Sequence, residues 1–163
     1  MQKALIEVVS AQDAAEYLEI ARQEALKSPC FRSKCGSVIV KDGKVIGKGF
    51  NGPPGDVQFS ACSKDSWPAE FKSDRTCCVH AEQRAIMDAL KSDLGHISGS
   101  TLLFVRLDDN GNIKPAGSPY CTICSKMALD AGVSKFVLVH KDVIWAYETR
   151  FYNDVSFSHA HKV

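Results

Sequence analysis

The sequence has no long apolar run. No stretch approaches the roughly 18 consecutive apolar residues that a membrane-spanning helix needs. Residues 1–28 carry acidic side chains where a secretory signal peptide would have its apolar core. We therefore expect a cytoplasmic protein with no membrane partner.

An excess of charge of either sign is also absent. The chain has 20 lysine and arginine residues against 19 aspartate and glutamate residues, which gives a formal net charge of +1. Proteins that bind the phosphate backbone of nucleic acids usually carry a strong positive charge, often with aromatic side chains between the basic ones. The sequence shows no such pattern, so nucleic acid is not expected as a partner.

Internal repeats and linkers are missing too, so residues 1–163 are expected to form a single domain. With 45% hydrophobic and 24% charged residues, the chain can bury a sizeable core. Its seven cysteines are an odd number and cannot all pair within the chain, and disulfides are rare in a reducing compartment. The cysteines therefore indicate metal ligands or reactive thiols.

Hydrophobic periodicity predicts an alternation of helices and strands. The expected order is a helix over 11–28, a hairpin with strands at 37–40 and 44–50, a helix beginning near His80, a strand at 101–107, a helix at 121–131, a strand at 135–140 and a last helix within 142–152. The segment 52–76 is either a functional lid or an irregular surface insertion. This order predicts an α/β fold with one sheet covered by helices on both faces.

Two short motifs contain the candidate chemistry. In "CCVHAEQRAI" (77–86), His80 and Glu82 are about 200° apart around an ideal helix, so they can face one point only at a helix start. In "SPYCTICSK" (118–126), Cys121 and Cys124 share one face at the start of another helix. Each of these residues also has an ordinary explanation when considered alone. His80 fits a capping or core histidine, Glu82 fits a first-turn glutamate, and Cys121 with Cys124 fits a redox pair.

Taken together, the two motifs match a catalytic zinc site. One histidine and two cysteines supply three ligands and leave a fourth position for water. Zinc lowers the pKa of that water to about 7, and Glu82, which is not a ligand, would carry the proton. The alternative is a zinc-stabilised binding module in which Cys77 or Cys78 supplies a fourth ligand.

The pair of "HAE" and, further downstream, "PYCTIC" resembles the signature of the zinc-dependent cytidine and deoxycytidylate deaminase family. The segment "CGSVIVKDGKVIGKGFNGPPGD" (35–56) resembles the hairpin of its deoxycytidylate branch, and residues 28–140 follow the family order. The resemblance implies a cytidine deaminase-like three-layer α/β/α sandwich with a central mixed sheet. It also implies a homo-oligomer.

The resemblance further implies a role for each matching residue. The expected assignments are His80, Cys121 and Cys124 as ligands of one catalytic Zn²⁺, Glu82 as proton shuttle, the Ala81 backbone amide against the base and Asn51 against the sugar. Asn51 otherwise fits a plain turn residue. Zinc-bound hydroxide would attack the amine-bearing carbon of a free cytosine nucleotide or nucleoside, with the conversion of dCMP to dUMP favoured.

Two departures from the family pattern concern the choice of substrate. Tyr120 stands directly before Cys121, where the family usually has proline, and Arg84 stands in "HAEQRAI", where the deoxycytidylate branch typically reads "HAEQNAI". Neither change removes a ligand or the carboxylate. Deamination of another base, such as tRNA adenosine, guanine or a modified base, is therefore the alternative activity.

Further cysteines and cations remain to be placed. Some deoxycytidylate deaminases carry extra cysteines or histidines for a second, structural zinc, and the candidates here are Cys30, Cys35, Cys62 and Cys77. Buried unreactive thiols are the alternative, and Cys78 is expected to pack. Arg32, Lys34, Arg75 and Arg84 are candidates for binding a phosphate, and each otherwise fits a solvated surface charge.

Overall fold

A computed structural model describes residues 4–68, 78–92 and 96–160. The strands and helices are β1 (Ile6–Val9), α1 (Ala11–Leu26), β2 (Cys35–Lys41), β3 (Lys44–Phe50), α2 (Ala81–Lys91), β4 (Thr101–Leu107), β5 (Ile113–Lys114), α3 (Thr122–Asp130), β6 (Lys135–Val139), β7 (Ile144–Glu148) and α4 (Thr149–Ala160). Two short 3-10 helices, Pro54–Asp56 and Ser63–Ser66, follow β3. Within the three described ranges, no helix has the length and apolar character needed to cross a membrane.

These seven strands form one mixed sheet. Its order is β1-β7-β6-β4-β2-β3, with the short β5 paired to the end of β4. Strands β4 and β6 are parallel, and the other neighbouring pairs are antiparallel. The predicted hairpin of β2 and β3 is confirmed, and its turn places Asp42 and Gly43 at φ of 49° and 74°.

Helices cover both faces of the sheet and make the expected three-layer sandwich. The face under α1 buries Ala14, Leu18, Ala21, Ala25, Val38, Leu103, Val105, Leu107, Val137 and Ala146. The face under α2, α3 and α4 buries, among others, Ile39, Ile46, Ala85, Ile86, Leu102, Phe104, Ala128, Phe136, Leu138 and Tyr152. Successive residues of β4 therefore enter opposite cores, so this strand is buried on both sides.

Helix α2 packs closely on β3 because β3 contains glycine at the contact. A Cβ at Gly49 would lie 2.5 Å from the Ala85 nitrogen and 2.6 Å from the Ala81 oxygen. Any side chain there would push the first turn of α2 away from the sheet. The contact therefore fixes the position of the residues at the start of α2.

The C-terminal segment differs from its sequence prediction. The helix expected within 142–152 is wrong over its first half, because Ile144–Glu148 forms β7 and α4 begins at Thr149. Strand β7 lies between β6 and β1 and pairs with both. Neither β1 nor β5 was predicted. Pairing with a strand at the other end of the chain decides the structure of 144–148, against the local pattern.

Candidate active site

The first turns of α2 and α3 meet at one point. His80 is the N-cap of α2, and Cys121 is the N-cap of α3. Cys124 lies within the first turn of α3 and is fully buried. The Nδ1 atom of His80 is 3.2 Å from the Sγ atom of Cys124 and 3.3 Å from that of Cys121. The two motifs, about 40 residues apart in sequence, therefore form one site.

The donor set of this site suits zinc. The ligand atoms of His80, Cys121 and Cys124 all lie within 4.8 Å of one another. Of the residues that the structure describes, these form the only group of three histidine, cysteine or acidic side chains with such spacing. One imidazole nitrogen and two sulfurs are typical zinc ligands, and the N-termini of two helices favour the thiolate form of cysteine.

Backbone hydrogen bonds hold His80 in place. Its N–H donates to Oε1 of Gln83 at 3.0 Å, and its carbonyl accepts from the N–H of Arg84 at 3.1 Å. His80 itself has extended backbone angles, with φ of −74° and ψ of 153°. The helix begins directly after it, so the imidazole is fixed at the helix end and not within a turn.

Glu82 places a carboxyl beside the three donor atoms. Its side chain is in the first turn of α2, is only 6% exposed and lines the same cavity as His80 and Cys121. Burial raises the pKa of this carboxyl, and the charge of His80 partly opposes that shift. A raised pKa makes this carboxylate a stronger base than an exposed glutamate, which suits a group that accepts and then returns a proton.

The two thiols have unequal proton affinities. Hydrogen bonds with Cys124 and, to a smaller extent, with His80 lower the pKa of Cys121 to about 4, against the effect of its burial. The same interaction with Cys121, together with burial, raises the pKa of Cys124 well above its usual value. Cys121 therefore loses its proton first, and ligation of a metal ion by both sulfurs requires Cys124 to lose its proton as well.

The site opens into a cavity of about 230 Å³. One side, the helix wall, consists of His80, Ala81, Glu82 and Cys121. The residues that line it from the segments after α1 and β3, here called the loop wall, are Cys30, Arg32, Ser33, Asn51, Cys62 and Lys64. Strand residues Cys35, Phe104 and Arg106 line the cavity between the two walls, and Cys78 and Tyr120 complete it.

Asn51 ties the loop wall to the sheet. Its Oδ1 accepts hydrogen bonds from the N–H of Cys35 at 2.8 Å and from the hydroxyl of Ser28 at 2.7 Å. Its Nδ2 donates to the carbonyl of Ser33 at 2.8 Å. Asn51 thus anchors the segment 28–35. Since an amide nitrogen carries two N–H groups, a sugar contact would use the second of them, and that contact stays a prediction.

Ala81 lies where its backbone can face a ligand. It is the first residue of α2, is fully buried and lines the cavity. The N–H groups of a first helical turn have no acceptor within the helix. The expected contact of this N–H with the base stays a prediction.

The remaining cysteines do not form a second three-ligand group within the described part of the chain. Cys30, Cys35 and Cys62 all line the cavity, yet no metal-like cluster includes them. Burial raises the pKa of the Cys35 thiol, which favours its neutral form. Cys78 is half-buried in the cavity wall, and Cys77 lies outside the described residues. A structural zinc that uses Cys77 therefore stays a prediction.

The candidates for phosphate binding fall in different places. Arg32 lines the cavity, where its Nη2 is 2.6 Å from Oδ1 of Asp65. Lys34 is exposed and is not part of the lining, and Arg75 lies outside the described residues. Arg84 also lies outside the lining.

The two departures from the family pattern have different surroundings. Tyr120 lines the cavity and is 58% exposed, so its ring lies at the rim. Arg84 instead donates from Nη2 to the carbonyl of Pro53 at 2.7 Å and lies 5.0 Å from the centre of the Phe50 ring. Tyr120 can therefore contact a ligand directly, whereas Arg84 supports the segment that follows β3.

Two cations of the cavity were missed by the sequence reasoning. Lys64 belongs to the loop wall, and Arg106 lies near the end of β4. A signal for Arg106 was present, because it is the one charged residue in the strand "TLLFVRL". It lies two positions after Phe104, and therefore on the same face of the sheet. No comparable pattern marks Lys64.

Comparisons with known proteins agree with this geometry. A family model for the cytidine and deoxycytidylate deaminase zinc-binding region matches residues 11–140. A deoxycytidylate deaminase of Mycobacterium phage D29 is 35% identical over 138 residues, which cover 79% of this chain and 96% of the relative. A deoxycytidylate deaminase of Saccharomyces cerevisiae is 26% identical over 126 residues, which cover 74% of this chain but 35% of the relative.

Solved structures show the same fold. A dCMP deaminase from the cyanophage S-TIM5, in complex with dCMP and dUMP, matches with a TM-score of 0.56 and 28% identity over 78% of this chain and 81% of that chain. A cytidine deaminase from Burkholderia pseudomallei matches with a TM-score of 0.56 and 19% identity, over 85% of this chain and 94% of that chain. The second likeness concerns the fold alone.

Proposed function

Because this chain belongs to the cytidine and deoxycytidylate deaminase family, we propose that it hydrolytically deaminates a free cytosine nucleotide or nucleoside, with dCMP favoured. The observation that supports this most is the meeting of His80, Cys121 and Cys124 beside the buried Glu82 in one cavity. The phage D29 relative is a deoxycytidylate deaminase, and the S-TIM5 structure contains dCMP and dUMP. These two relatives favour a nucleotide over a nucleoside.

The proposed metal site uses His80, Cys121 and Cys124 as the ligands of one Zn²⁺. When bound there, zinc supplies Lewis-acid activation of a water molecule. Two cysteine thiolates balance the charge of the ion, and the imidazole adds a neutral donor. Cys121 already favours the thiolate form in the described geometry.

Glu82 moves the protons of the proposed reaction. Its carboxylate takes a proton from water and gives it to the ring nitrogen of cytosine, and a second transfer protonates the leaving amine. Water is consumed, the C–N bond to the amine breaks, and uracil and ammonia are the products. Glu82 can act in this way because it lies beside the donor atoms without being one of the three ligands.

The remaining contacts orient the substrate. The Ala81 N–H at the start of α2 would donate to the base, and Asn51 would use its second N–H toward the sugar. Both residues line the cavity that contains the donor atoms. Tyr120, which is exposed at the rim, would contact the part of the substrate nearest the cavity entrance.

The proposal treats residues 1–163 as one catalytic domain, since the described strands all join one sheet. It includes a cytoplasmic location and a homo-oligomeric state. The six described cysteines are free thiols, as a reducing compartment would keep them.

A panel of substrates tests the proposed function. Zinc per chain and ammonia release would be measured on one preparation with cytidine, deoxycytidine, their monophosphates, adenosine and guanine. We expect one catalytic zinc per chain and the highest kcat/KM with dCMP. Release from adenosine or guanine alone would contradict the cytosine substrate, and zinc without any release would contradict the enzymatic role.

A further inference from the structure

Arg106 extends into the active-site cavity from the sheet. It pairs with Cys35 of β2 and with Lys114 of β5 in the strand register. Its side chain lies on the face of β4 that Phe104 also occupies, under α2 and α3. The guanidinium therefore lines the same cavity as His80 and Glu82.

The guanidinium of Arg106 has no anionic partner among the residues described. Its Nε is buried and makes no hydrogen bond to any described residue. The side chain interacts with the thiol of Cys35, including by a hydrogen bond, and with the ring of Phe104, whose centre is 6.0 Å from the guanidinium carbon. Arg32 of the same cavity differs, because Asp65 neutralises its charge.

An arginine with an unsatisfied buried N–H is energetically unfavourable until a ligand accepts that hydrogen bond. Arg106 as a residue is only partly buried, and the cost falls on its buried Nε–H, which makes no hydrogen bond to a described residue. The energy is recovered when an anion enters the cavity and accepts the free hydrogen bonds. A guanidinium presents a planar set of donors that matches phosphate or carboxylate oxygens.

The charge of the cavity indicates which part of a substrate Arg106 binds. Lys64 of the loop wall is a second cation without an ion pair to any described residue. A neutral base or sugar needs no positive charge in its binding site. A phosphate monoester carries close to two negative charges at neutral pH, which matches two cations without an ion pair. The donor atoms at the start of α2 and α3 already occupy the helix wall, so a phosphate would lie against the strand and loop residues of the cavity.

We propose that Arg106, together with Lys64, binds the phosphate group of the substrate and so makes this enzyme select nucleoside monophosphates over nucleosides. This inference rests on the proposed function and adds a specificity-determining residue to it. Arg106 supplies the paired donors from the sheet. Lys64 supplies a point charge from the loop wall.

The test compares Arg106→Met, Arg106→Lys and Lys114→Met with the wild type. Lys114 is the matched control, because it is the exposed cross-strand neighbour of Arg106 and does not line the cavity. The readout is the ratio of kcat/KM for dCMP to kcat/KM for deoxycytidine. A charge-assisted hydrogen bond of ordinary strength predicts a fall of about 10- to 100-fold in Arg106→Met. We expect a smaller fall in Arg106→Lys and none in Lys114→Met.

A binding measurement separates this inference from the proposed function. Calorimetric affinities for dUMP and deoxyuridine would be measured on the same four zinc-loaded proteins. Weaker binding of dUMP by Arg106→Met, with deoxyuridine affected less, supports the phosphate contact even if the wild type deaminates neither cytosine substrate. An unchanged ratio of kcat/KM, an equal loss for both substrates, or no dUMP binding by the wild type would overturn it.

Discussion

The two walls of the active-site cavity are held by different interactions. The helix wall lies at the starts of α2 and α3, where α2 packs on β3 through Gly49 and buries Ala81 and Ala85 completely. The loop wall is held instead by the side-chain hydrogen bonds of Asn51 and by the exposed Arg32–Asp65 ion pair. Close backbone packing fixes positions more rigidly than a few side-chain hydrogen bonds do, and an exposed ion pair contributes little to stability.

This difference corresponds to the different functions proposed for the two walls. Metal ligation and proton transfer need fixed geometry, and the residues proposed for them are all in the helix wall or in α3. Selection among related substrates tolerates variation in loops. The loop wall and the rim, with Lys64 and Tyr120, are therefore where this chain would differ from other deaminases in its choice of substrate.

The largest expected effect comes from the carboxyl of the helix wall. Glu82→Gln should keep its zinc but lose about 10²- to 10⁴-fold in kcat, because proton transfer fails while the ligands remain. Zinc per chain and ammonia release from dCMP are the measurements.

Glu24→Gln is the matched control for that change. Glu24 is also 6% exposed, but it lies on α1 beside Lys27 and not in the cavity. Its substitution should leave both zinc content and turnover close to the wild type. Substantial turnover by Glu82→Gln would remove that residue from the proton-transfer role.

A change in packing should affect the helix wall next most strongly. Gly49→Ala places a Cβ against the backbone of Ala81 and Ala85, and overpacking of this kind costs roughly 1–3 kcal/mol of unfolding free energy. Because Ala81 follows His80, zinc affinity should fall as well. Thermal unfolding and zinc titration are the measurements.

Gly36→Ala separates the two effects of the packing change. A Cβ at Gly36 would meet the backbone of α1 at Ala21 and Ala25, on the other face of the sheet. We expect this variant to lose stability while its zinc affinity stays near that of the wild type. Equal losses of zinc affinity in both glycine variants would show that the close packing of α2 has no special role at the site.

The smallest expected effect concerns the loop wall. Asn51→Ala removes three hydrogen bonds and should cost about 1–3 kcal/mol of unfolding free energy. Ser28→Ala is the control, because its hydroxyl bonds Asn51 and accepts from the Cys30 N–H in the same anchor, while Ser28 does not line the cavity. If Asn51 also contacts the sugar, KM for dCMP should rise more in Asn51→Ala than in Ser28→Ala, because only Asn51→Ala removes a contact with the substrate. If KM for dCMP rises in both variants only in proportion to their losses of stability, Asn51 serves only to anchor the loop wall.

Local signals explain what the sequence analysis predicted. The predicted helix start near His80 and the hairpin at Asp42 and Gly43 are confirmed, since caps and tight turns depend on a few neighbouring residues. The first helix ends at Leu26, two residues before its predicted end. For the site, the sequence predicts that the two motifs meet, because each lies at the start of a helix.

Non-local interactions explain what it missed. Residues 144–148 lie within the predicted last helix, yet they pair with β1, which is more than 130 residues away along the chain. The hydrogen bonds of Asn51 to Ser28 and Ser33 depend on how a loop folds back on the sheet, and no local pattern reports that. The same holds for the entry of Lys64 into the cavity.

X-ray absorption at the zinc edge tests the central claim most directly, namely that three residues of α2 and α3 hold a catalytic zinc. The account predicts one zinc with two sulfur neighbours at about 2.3 Å and two nitrogen or oxygen neighbours at about 2.0 Å, the histidine and a water molecule. Substitution of Cys121 or Cys124 by alanine should remove one sulfur neighbour. A third sulfur in the wild-type protein, from Cys77 or Cys78, would close the coordination shell and contradict a catalytic zinc.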